Sequence, residues 1–299
     1  MVDSNEHSAP RFTVIMPLYN HSAYIDQAIE SVRNQTLGDW RLIVVDDESS
    51  DDSHDRALRH AADDERITVL RQSNAGPAAA RNRAAAAATG EWMTYLDSDD
   101  MWYSHTLEAY ADAIAANPNR EFFYGRRDRI SADGRIEKTA GEFQSGPTGA
   151  RELLGRMYLS TMVVCHTRRL FEAVGGFDAS LRSCEDYDLF LRMSMHTSFM
   201  PIGKSTGLRR RHGSNLSRQS GFSRFQEAGV ISRFLSSGGS SLVPAWLAQR
   251  RLAKLYYSSA RQYFKERSMS KACESISHSL RHRFTLKALG LGLLCRVLA

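Results

Sequence analysis

The sequence predicts an α/β fold built on a mostly parallel sheet with helices on both faces. Over the first hundred residues, short apolar and β-branched runs alternate with helical stretches, and this alternation is typical of parallel sheets covered on both sides. Two of the apolar runs end directly in clustered acidic residues. The carboxyl ends of parallel strands share one edge of the sheet, where open α/β sheets bind ligands.

The composition is that of a folded protein with one large domain, or one domain and an appendage. The chain has 299 residues, of which 42% are hydrophobic and 24% charged, and both fractions are ordinary. Its four cysteines are scattered without CxxC spacing, which predicts reduced thiols rather than disulfides or a zinc site. Residues 1–10 lack the apolar core of a signal peptide, and no apolar run approaches the ~18 to 20 residues that span a bilayer. We therefore expect a cytoplasmic protein.

The net charge of +5 is distributed unevenly along the chain. Residues 201–299 contain 18 Lys and Arg against 3 Asp and Glu, whereas 21 basic and 31 acidic residues precede them. The acidic front can hold cations, and the basic tail can contact anionic partners such as phospholipid headgroups. The tail lacks the aromatic signature of RNA-binding domains, so we expect no nucleic acid partner.

The predicted sheet begins with a strand at residues 12–16, where an apolar, β-branched run is stopped by Pro17. Ser22 can cap the helix that follows, because apolar residues then recur at the spacing of one helical face. A second buried strand at residues 40–45 ends in two aspartates, and a polar helix reaches about residue 62.

A third strand at residues 67–70 precedes an alanine-rich helix, which Gly76-Pro77 opens and Gly90 closes. A fourth strand at residues 92–96 ends in Asp97-Ser98-Asp99-Asp100. Three carboxylates within four residues repel one another unless they share a cation, and such hard oxygen ligands suit Mg²⁺ or Mn²⁺. The alternative is a turn followed by a helix N-cap, since Asp is common in both.

Five short motifs follow one another in the first hundred residues. They are Pro17-Leu18-Tyr19-Asn20, Ala28-Ile29-Glu30-Ser31-Val32 with Gln35-Thr36, Val44-Val45-Asp46-Asp47-Glu48-Ser49, Asn74-Ala75-Gly76 with Ala80-Arg81-Asn82, and Asp97-Ser98-Asp99. In this order they resemble the large family 2 of inverting GT-A glycosyltransferases, and the resemblance extends to about Ser217. It implies a Rossmann-like GT-A catalytic domain at residues 1–220. Residues 221–299 lie beyond the resemblance, and their basic composition and apolar periodicity predict a helical extension.

The resemblance implies that Pro17, Tyr19 and Asp47 bind the nucleotide base of a sugar donor. A carboxylate can accept the N3–H of a uracil-type ring, and a tyrosine ring can stack on that ring. The alternative for Asp47 is a residue that stabilises a turn.

The family's DXD triplet maps onto Asp97, Ser98 and Asp99. The resemblance implies that Asp97 and Ser98 belong to the donor site, with Asp97 near the ribose, and that Asp99 ligates the Mn²⁺ or Mg²⁺ ion between the two phosphates. Asp100 is the weaker candidate of the three, and the alternative is that it only caps the helix beginning near Ser104. Arg81 is expected either to reach the pyrophosphate or to lie on a solvated helix face.

Two later segments complete the predicted site. Asp186 resembles the family's catalytic base, with Glu185 as a supporting carboxylate; the alternative is a capping box that starts at Ser183. His212 lies in a basic loop and is expected either to join the metal site or to be solvated, while the arginines before it could neutralise a diphosphate.

The tail predicts two helices, at residues 245–266 and 273–280, that pack on the catalytic domain. A short apolar run at residues 284–294 follows, flanked by arginines. It is too short to span a bilayer and its flanks are cationic. It therefore predicts either an interfacial membrane helix, which would hold the protein at the inner face of a membrane, or a further packing element.

Together these features predict an inverting, metal-assisted glycosyltransferase of bacterial surface polysaccharide or glycolipid assembly. It would move a sugar from a nucleoside-diphosphate donor, most simply a UDP-sugar, to a saccharide or lipid-linked saccharide acceptor. The alternative is a non-catalytic nucleotide-sugar-binding protein or a membrane-surface scaffold. A dinucleotide oxidoreductase is disfavoured because GxGxxG is absent after the first strand.

Overall fold

The structure is a computed structural model that describes residues 10–131, 135–139, 145–210 and 220–297. The chain divides into two compact units whose segments alternate along the sequence. The first unit contains the described residues of Met1–Pro147, Leu159–Ala179 and Thr197–Gly213, and the second contains those of Thr148–Tyr158, Ser180–His196 and Ser214–Ala299. The division into domains at residues 1–220 and 221–299 stays a prediction.

The described part of the first unit contains nine strands. They are β1 (Phe12–Leu18), β2 (Trp40–Asp46), β3 (Ile67–Arg71), β4 (Trp92–Tyr95), β5 (Met101–Trp102), β6 (Phe122–Ile130), β7 (Ile136–Glu137), β8 (Val164–Thr167) and β9 (Met200–Arg210).

Eleven helices occur in the described residues of both units. They are α1 (Ile25–Arg33), α2 (Ser53–Asp63), α3 (Pro77–Ala86), α4 (Thr106–Ala116), α5 (Ala150–Gly155), α6 (Arg168–Ala173), α7 (Glu185–Met193), α8 (Gly221–Ser236), α9 (Ala245–Lys265), α10 (Met269–His282) and α11 (Leu286–Val297). Helices α5 and α7 to α11 belong to the second unit.

The strands form one sheet in the order β3-β2-β1-β4-β8-β6-β9-β5, with β7 paired to β6. The first four strands are mutually parallel, and β6 is parallel to β9. β8 runs antiparallel to both β4 and β6, and β5 runs antiparallel to β9. The predicted α/β class, with its parallel core and helical C-terminal region, is confirmed.

The centre of the sheet is buried on both faces, as the sequence of β1 predicts. Phe12, Val14 and Met16 point to one face and Thr13 and Ile15 to the other, and all five are fully buried. A continuous apolar run fits such a strand, because helices cover both sides of a parallel sheet.

Two predicted helix ends are wrong. Helix α1 starts only at Ile25, and Ser22 donates its backbone N–H to Asp51 Oδ2 at 3.0 Å instead of capping the helix. Gly90 does not close α3; it donates to Thr13 Oγ1 at 3.1 Å. A Cβ on Gly90 would lie 2.8 Å from that oxygen, so the glycine is required by its close approach to β1.

The middle strands are longer than the sequence predicts. Apolar runs predict strands at residues 122–125 and 197–202. The first strand continues to Ile130 and the second to Arg210. Residues 129–137, with Asp133-Gly134 at their centre, predict a hairpin, and Ile130 of β6 does pair antiparallel with Ile136 of β7. Its expected tip at residues 133–134 lies outside the described residues.

The second unit is helical. Helix α9 packs on α10, and α11 packs on both through buried residues such as Ala260, Ile276 and Ala288. The helices predicted in the tail are therefore confirmed. Within the part of the chain that the structure describes, no helix is both long enough and apolar enough to cross a bilayer.

Candidate functional site

The loops that follow β1, β2 and β4 lie at one edge of the sheet, because these strands are parallel. Strand β1 is flanked by β2 on one side and by β4 on the other, so the chain order reverses between β1 and β4. Ligands of open α/β sheets bind at such a reversal. Tyr19, Asp47 and Asp97 each follow one of the three strands, which brings the predicted acidic clusters to the same edge.

The first predicted motif supplies an exposed aromatic ring at this edge. Pro17 lies inside β1, opposite Val45 of β2. Tyr19 follows the strand, and its side chain is 48% exposed. A partly exposed ring that leaves a buried strand can stack on a planar group such as a nucleobase.

Asp47 is buried and organises the loop that leads into α3. Its Oδ1 accepts hydrogen bonds from Gln72 Nε2 at 2.8 Å and from the backbone N–H of Ala75 at 2.9 Å. Its Oδ2 accepts the backbone N–H of Gly76 at 2.8 Å. Asp47 therefore stabilises the turn, as the alternative to base binding predicts. A carboxylate can accept about four hydrogen bonds, so the geometry leaves one acceptor position, and the role of Asp47 in base binding stays a prediction.

The loops after β1 and β2 are joined by hydrogen bonds that the sequence did not indicate. Asn20, in the left-handed region with φ of 52°, accepts the backbone N–H of Ser50 at 2.8 Å. The backbone N–H of Asn20 donates to Ser49 Oγ at 3.0 Å, and that of His21 donates to Ser53 Oγ at 2.8 Å. These contacts fix the position at which Tyr19 leaves β1.

The loop after β4 alternates between partly exposed and buried side chains. Asp97 and Asp99 are partly exposed, whereas Ser98 and Asp100 are buried. Ser98 Oγ is hydrogen bonded to His21 Nδ1 at 2.7 Å, directly across the reversal between β1 and β4. Ser98 therefore positions the loop. His21 directly follows the motif Pro17-Leu18-Tyr19-Asn20 and therefore lies at this edge. Nothing in the sequence indicates that it pairs with Ser98.

Asp100 does not cap a helix, so that prediction is wrong. Its Oδ1 accepts the backbone N–H of Arg210 at 2.8 Å, and α4 begins only after strand β5. Burial, together with the charges of Asp97 and Asp99, raises the pKa of Asp100 to about 8. The guanidinium of Arg210 donates to the carbonyl oxygen of Asp99 at 3.1 Å and to Gln27 Oε1 at 2.6 Å. Arg210 thus anchors the acidic loop from the end of β9.

Arg81 lies inside the site rather than on a solvated helix face. It is only 5% exposed, and its Nη2 donates to Asp97 Oδ1 at 2.8 Å. The guanidinium also lies 5.5 Å from the centroid of the Phe177 ring. A charge-assisted hydrogen bond in a partly desolvated position is strong and directional, so Arg81 fixes the orientation of the Asp97 carboxylate.

Asn82 forms two hydrogen bonds to the backbone of Phe177 through its side-chain amide. Its Nδ2 donates to the carbonyl oxygen of Phe177 at 2.8 Å, and its Oδ1 accepts the N–H of Phe177 at 2.9 Å. The preceding residue, Gly176, has φ of 72°, and a Cβ there would lie 2.9 Å from Asn82 Oδ1. The sequence motif included Asn82, but it did not indicate this role.

We expect Asn82→Ala to lower the free energy of unfolding by about 1–3 kcal/mol, the usual cost of leaving buried polar groups unpaired. The measurement is urea unfolding followed by circular dichroism. Asn117→Ala is the matched control, because Asn117 Nδ2 makes one local bond, to Ala113 O at 3.0 Å. Equal losses in the two variants would contradict the specific role of Asn82.

The expected cluster of three carboxylates around a cation is not formed. In the described ranges, no three His, Cys, Asp or Glu side chains come together as a metal-binding group; Asp100 instead accepts the backbone N–H of Arg210. Asp97 and Asp99 remain partly exposed. Two carboxylates still fit a Mg²⁺ or Mn²⁺ ion that takes its other ligands from substrate phosphates and water. His212, the other predicted ligand, lies outside the described residues.

In the second unit, Glu185 and Asp186 open helix α7 and are both partly exposed. The alternative of a capping box is wrong, because Ser183 Oγ donates to Gln226 Oε1 at 2.8 Å. The N-cap is Cys184, in the left-handed region with φ of 63°. Asp186 Oδ1 accepts the backbone N–H of Tyr187 at 2.7 Å, which anchors the carboxylate in the first helical turn.

A third acid in the same turn, Asp188, has a structural role. It is buried, and its carboxylate pairs with Arg192 at 2.7 Å and with Arg233 at 3.2 Å. This pairing joins α7 to α8.

The chain is similar in sequence to several known proteins. The family model described as glycosyl transferase family 2 matches residues 13–174. Chondroitin synthase of Escherichia coli is 30% identical over 213 residues, which cover 70% of this chain and 30% of that protein. UDP-Glc:alpha-D-GlcNAc-diphosphoundecaprenol beta-1,3-glucosyltransferase WfgD, also of Escherichia coli, is 38% identical over 127 residues, which cover 42% of this chain and 49% of WfgD.

A solved structure extends the likeness to most of the chain. The crystal structure of S. aureus TarS 1–349 in complex with UDP-GlcNAc is similar at a TM-score of 0.72 and 17% identity, over 96% of this chain and 88% of that one. At this identity the likeness concerns the fold alone, and it confirms the predicted fold class. The chain spans less than half the length of chondroitin synthase and of WfgD.

Proposed function

Because the chain belongs to glycosyl transferase family 2, we propose that it transfers a sugar from a nucleoside-diphosphate donor to the hydroxyl of an acceptor. One observation carries the proposal. At the reversal between β1 and β4, three side chains are partly exposed to solvent, namely Tyr19, Asp97 and Asp99. The neighbouring Ser98 and Asp100 are buried, and their hydrogen bonds hold the loops in place.

The donor we propose is a UDP-sugar. Tyr19 would stack on the base, and Asp47 would accept the N3–H of a uracil ring with the acceptor position that its loop contacts leave. Pro17 sets the path of the chain into Tyr19 from inside β1. The names of WfgD and of the TarS complex both contain a UDP-sugar, which supports this choice.

Asp99, with Asp97 beside it, would hold a Mn²⁺ or Mg²⁺ ion, with His212 as a further proposed ligand. Such an ion, when bound, offsets the negative charge of the diphosphate. The chain's own part is to orient the carboxylates. Arg81 fixes Asp97 through its 2.8 Å hydrogen bond, and Arg210 holds the backbone at Asp99. Arg81 also contributes positive charge near the place where the pyrophosphate would lie.

The reaction we propose is a single displacement with inversion. The acceptor oxygen forms a bond to the anomeric carbon, the bond from that carbon to the diphosphate oxygen breaks, and the hydroxyl proton passes to a carboxylate. Asp186 is the proposed base, with Glu185 as its support. General-base catalysis of this kind contributes about 10²–10⁴-fold to the rate.

The acceptor we propose is a saccharide or a lipid-linked saccharide in surface polysaccharide assembly, in the cytoplasm. The support comes from the relatives, since one is named as a chondroitin synthase and another carries a diphosphoundecaprenol-linked sugar in its name. The fold by itself does not select an acceptor, because one fold hosts many functions.

A panel of nucleotide sugars tests the proposal. UDP-glucose, UDP-N-acetylglucosamine, UDP-glucuronate and GDP-mannose would each be added with and without Mn²⁺, and the unfolding temperature and the release of nucleoside diphosphate would be measured. We expect at least one UDP-sugar to stabilise the protein, by about 2.7 kcal/mol at a ligand concentration of 100 Kd. We also expect it to be hydrolysed slowly in the presence of Mn²⁺.

Two outcomes would speak against the proposal. If no nucleotide sugar stabilises the protein or is hydrolysed, the edge of the sheet does not bind such donors. If a donor binds but is neither hydrolysed nor transferred to any saccharide in a wide panel, the chain is a binding protein or scaffold rather than an enzyme.

A further inference from the structure

Helix α11 buries only one of its two apolar faces. Ala288 and Cys295 are fully buried against α9 and α10, and Leu291 packs beside them. These three positions share one helical face, because residues three and four apart are neighbours on a helix. The contacts explain why this short helix is folded onto the bundle.

The opposite face is apolar and exposed. Leu286 is 78% exposed, Leu289 38% and Leu293 57%, and the adjacent Phe284 and Leu294 are 64% and 54% exposed. Of the twelve large hydrophobic side chains exposed in the described residues, these five fall within residues 284–294. Single exposed apolar residues are normal, but a cluster indicates a contact surface.

The helices that carry this face are cationic. Residues 245–297 contain eleven Lys and Arg against two Asp and Glu. Lys287 is exposed between Leu286 and Leu289, and Arg281 and Arg283 are exposed just before Phe284. A second copy of the chain would bring two such cationic surfaces together. An anionic partner with an apolar interior, by contrast, satisfies both properties of the face.

An exposed tryptophan lies at the same end of the helical bundle. His282, at the end of α10, is hydrogen bonded through Nδ1 to Gln249 Oε1 at 2.8 Å, and this contact joins it to the first turns of α9. Trp246 is about one turn before Gln249 and is 60% exposed. Tryptophan prefers the interface between headgroups and acyl chains, because its ring is apolar and its N–H is polar.

We infer that the exposed apolar face docks on the surface of an anionic lipid bilayer. This face consists of Phe284, Leu286, Leu289, Leu293 and Leu294. The apolar side chains enter the boundary between headgroups and acyl chains, and the flanking basic residues contact the headgroups. At 12 residues, α11 is about 18 Å long, which is shorter than the ~30 Å hydrocarbon core. It therefore lies in the plane of the surface. This inference is independent of the proposed function.

Vesicle co-sedimentation of the full chain tests the inference. The vesicles are phosphatidylcholine alone, or phosphatidylcholine mixed with phosphatidylglycerol, at low and at high salt. We expect the protein to sediment with the mixed vesicles at low salt, to be partly released at high salt, and to bind phosphatidylcholine at least tenfold more weakly, because the cationic flank adds to the apolar contact.

Two matched double variants separate the face from general charge effects. L286S/K287E changes a neighbouring leucine and lysine of the face. L58S/R59E makes the equivalent change on helix α2, where Leu58 and Arg59 are also exposed. We expect the first variant to bind mixed vesicles at least tenfold more weakly and the second to bind like the wild type. Phe284→Ser, outside any helix, repeats the test without affecting helix formation.

Fluorescence provides a local readout. The chain has four tryptophans, and Trp40, Trp92 and Trp102 are buried in the first unit whereas Trp246 is exposed. Lipids brominated on their acyl chains should quench the emission of Trp246 in the mixed vesicles, and this quenching should be lost in Trp246→Phe.

Three results would overturn the inference. The first is a wild-type protein that stays in the supernatant with mixed vesicles at low salt. The second is an equal loss of binding in both double variants, which would indicate attraction by overall charge alone. The third is a dimer without lipid that L286S/K287E dissociates, which would identify a second copy as the occupant of the face.

Discussion

Asp99→Asn is expected to leave the fold intact and to lower transfer activity by at least about 100-fold. An amide brings no charge to a divalent cation, and even residues that only support a ligand cost about 10–100-fold in metal affinity or activity when they are changed. The fold should persist, because Arg210 contacts the main-chain oxygen of Asp99 at 3.1 Å, and an asparagine keeps that oxygen.

The measurement is isothermal titration of UDP into the wild type and the variant, with and without Mn²⁺. We expect Mn²⁺ to strengthen UDP binding to the wild type and to have little effect on the variant. Asp100→Asn is the matched control, since an amide oxygen can still accept the N–H of Arg210 that Asp100 accepts now. If UDP binding depends on Mn²⁺ equally in Asp99→Asn and in the wild type, Asp99 is not the metal ligand.

Asp186→Asn should leave donor binding nearly unchanged and lower turnover by about 100-fold or more, which is the usual contribution of a positioned base. An asparagine can still accept the backbone N–H of Tyr187, so the first turn of α7 should keep its geometry. The measurements are the turnover number with a transferable acceptor and the affinity for the donor.

Two further variants distinguish the roles of the neighbouring carboxylates. Asp188→Asn should lower stability more than turnover, because Asp188 pairs with Arg192 and Arg233. Glu185→Gln should have the smaller effect on turnover if Asp186 is the base. A loss of donor affinity in Asp186→Asn would assign that residue to binding, whereas an unchanged turnover would point to Glu185 or to another base.

The sequence predicted the strands and the edge at which they end, because these features are local. The apolar, β-branched run before Pro17 is typical of a buried strand. Asp47 and Asp97 each follow a run of the same kind. Since parallel strands end at one edge, the position of both acidic clusters at that edge follows from chain order alone. The exposure of Tyr19 agrees with the motif that contains it.

The roles of the buried polar residues could not be predicted, because they depend on partners far along the chain. Asp100 and Arg210 are 110 residues apart, and Asn82 and Phe177 are 95 residues apart. Local sequence rules predict that Asp100 caps a helix, but its side chain instead forms a hydrogen bond to the distant Arg210. The length of β9 does not follow from the sequence, because most of its residues after Ile202 are polar or glycine. Pairing with β6 holds this part of the strand.

The place of β8 in the sheet has a consequence for synthesis on the ribosome. β8 lies between β4 and β6, and its last residue, Thr167, is made 37 residues after Ile130, the end of β6. At ~5–20 residues per second, the edges of β4 and β6 that β8 later covers are both unpaired for about 2 to 7 seconds. Bare strand edges recruit other chains. Nascent chains on neighbouring ribosomes therefore expose a transient site for association, and a fragment that stops before Val164 would keep it permanently.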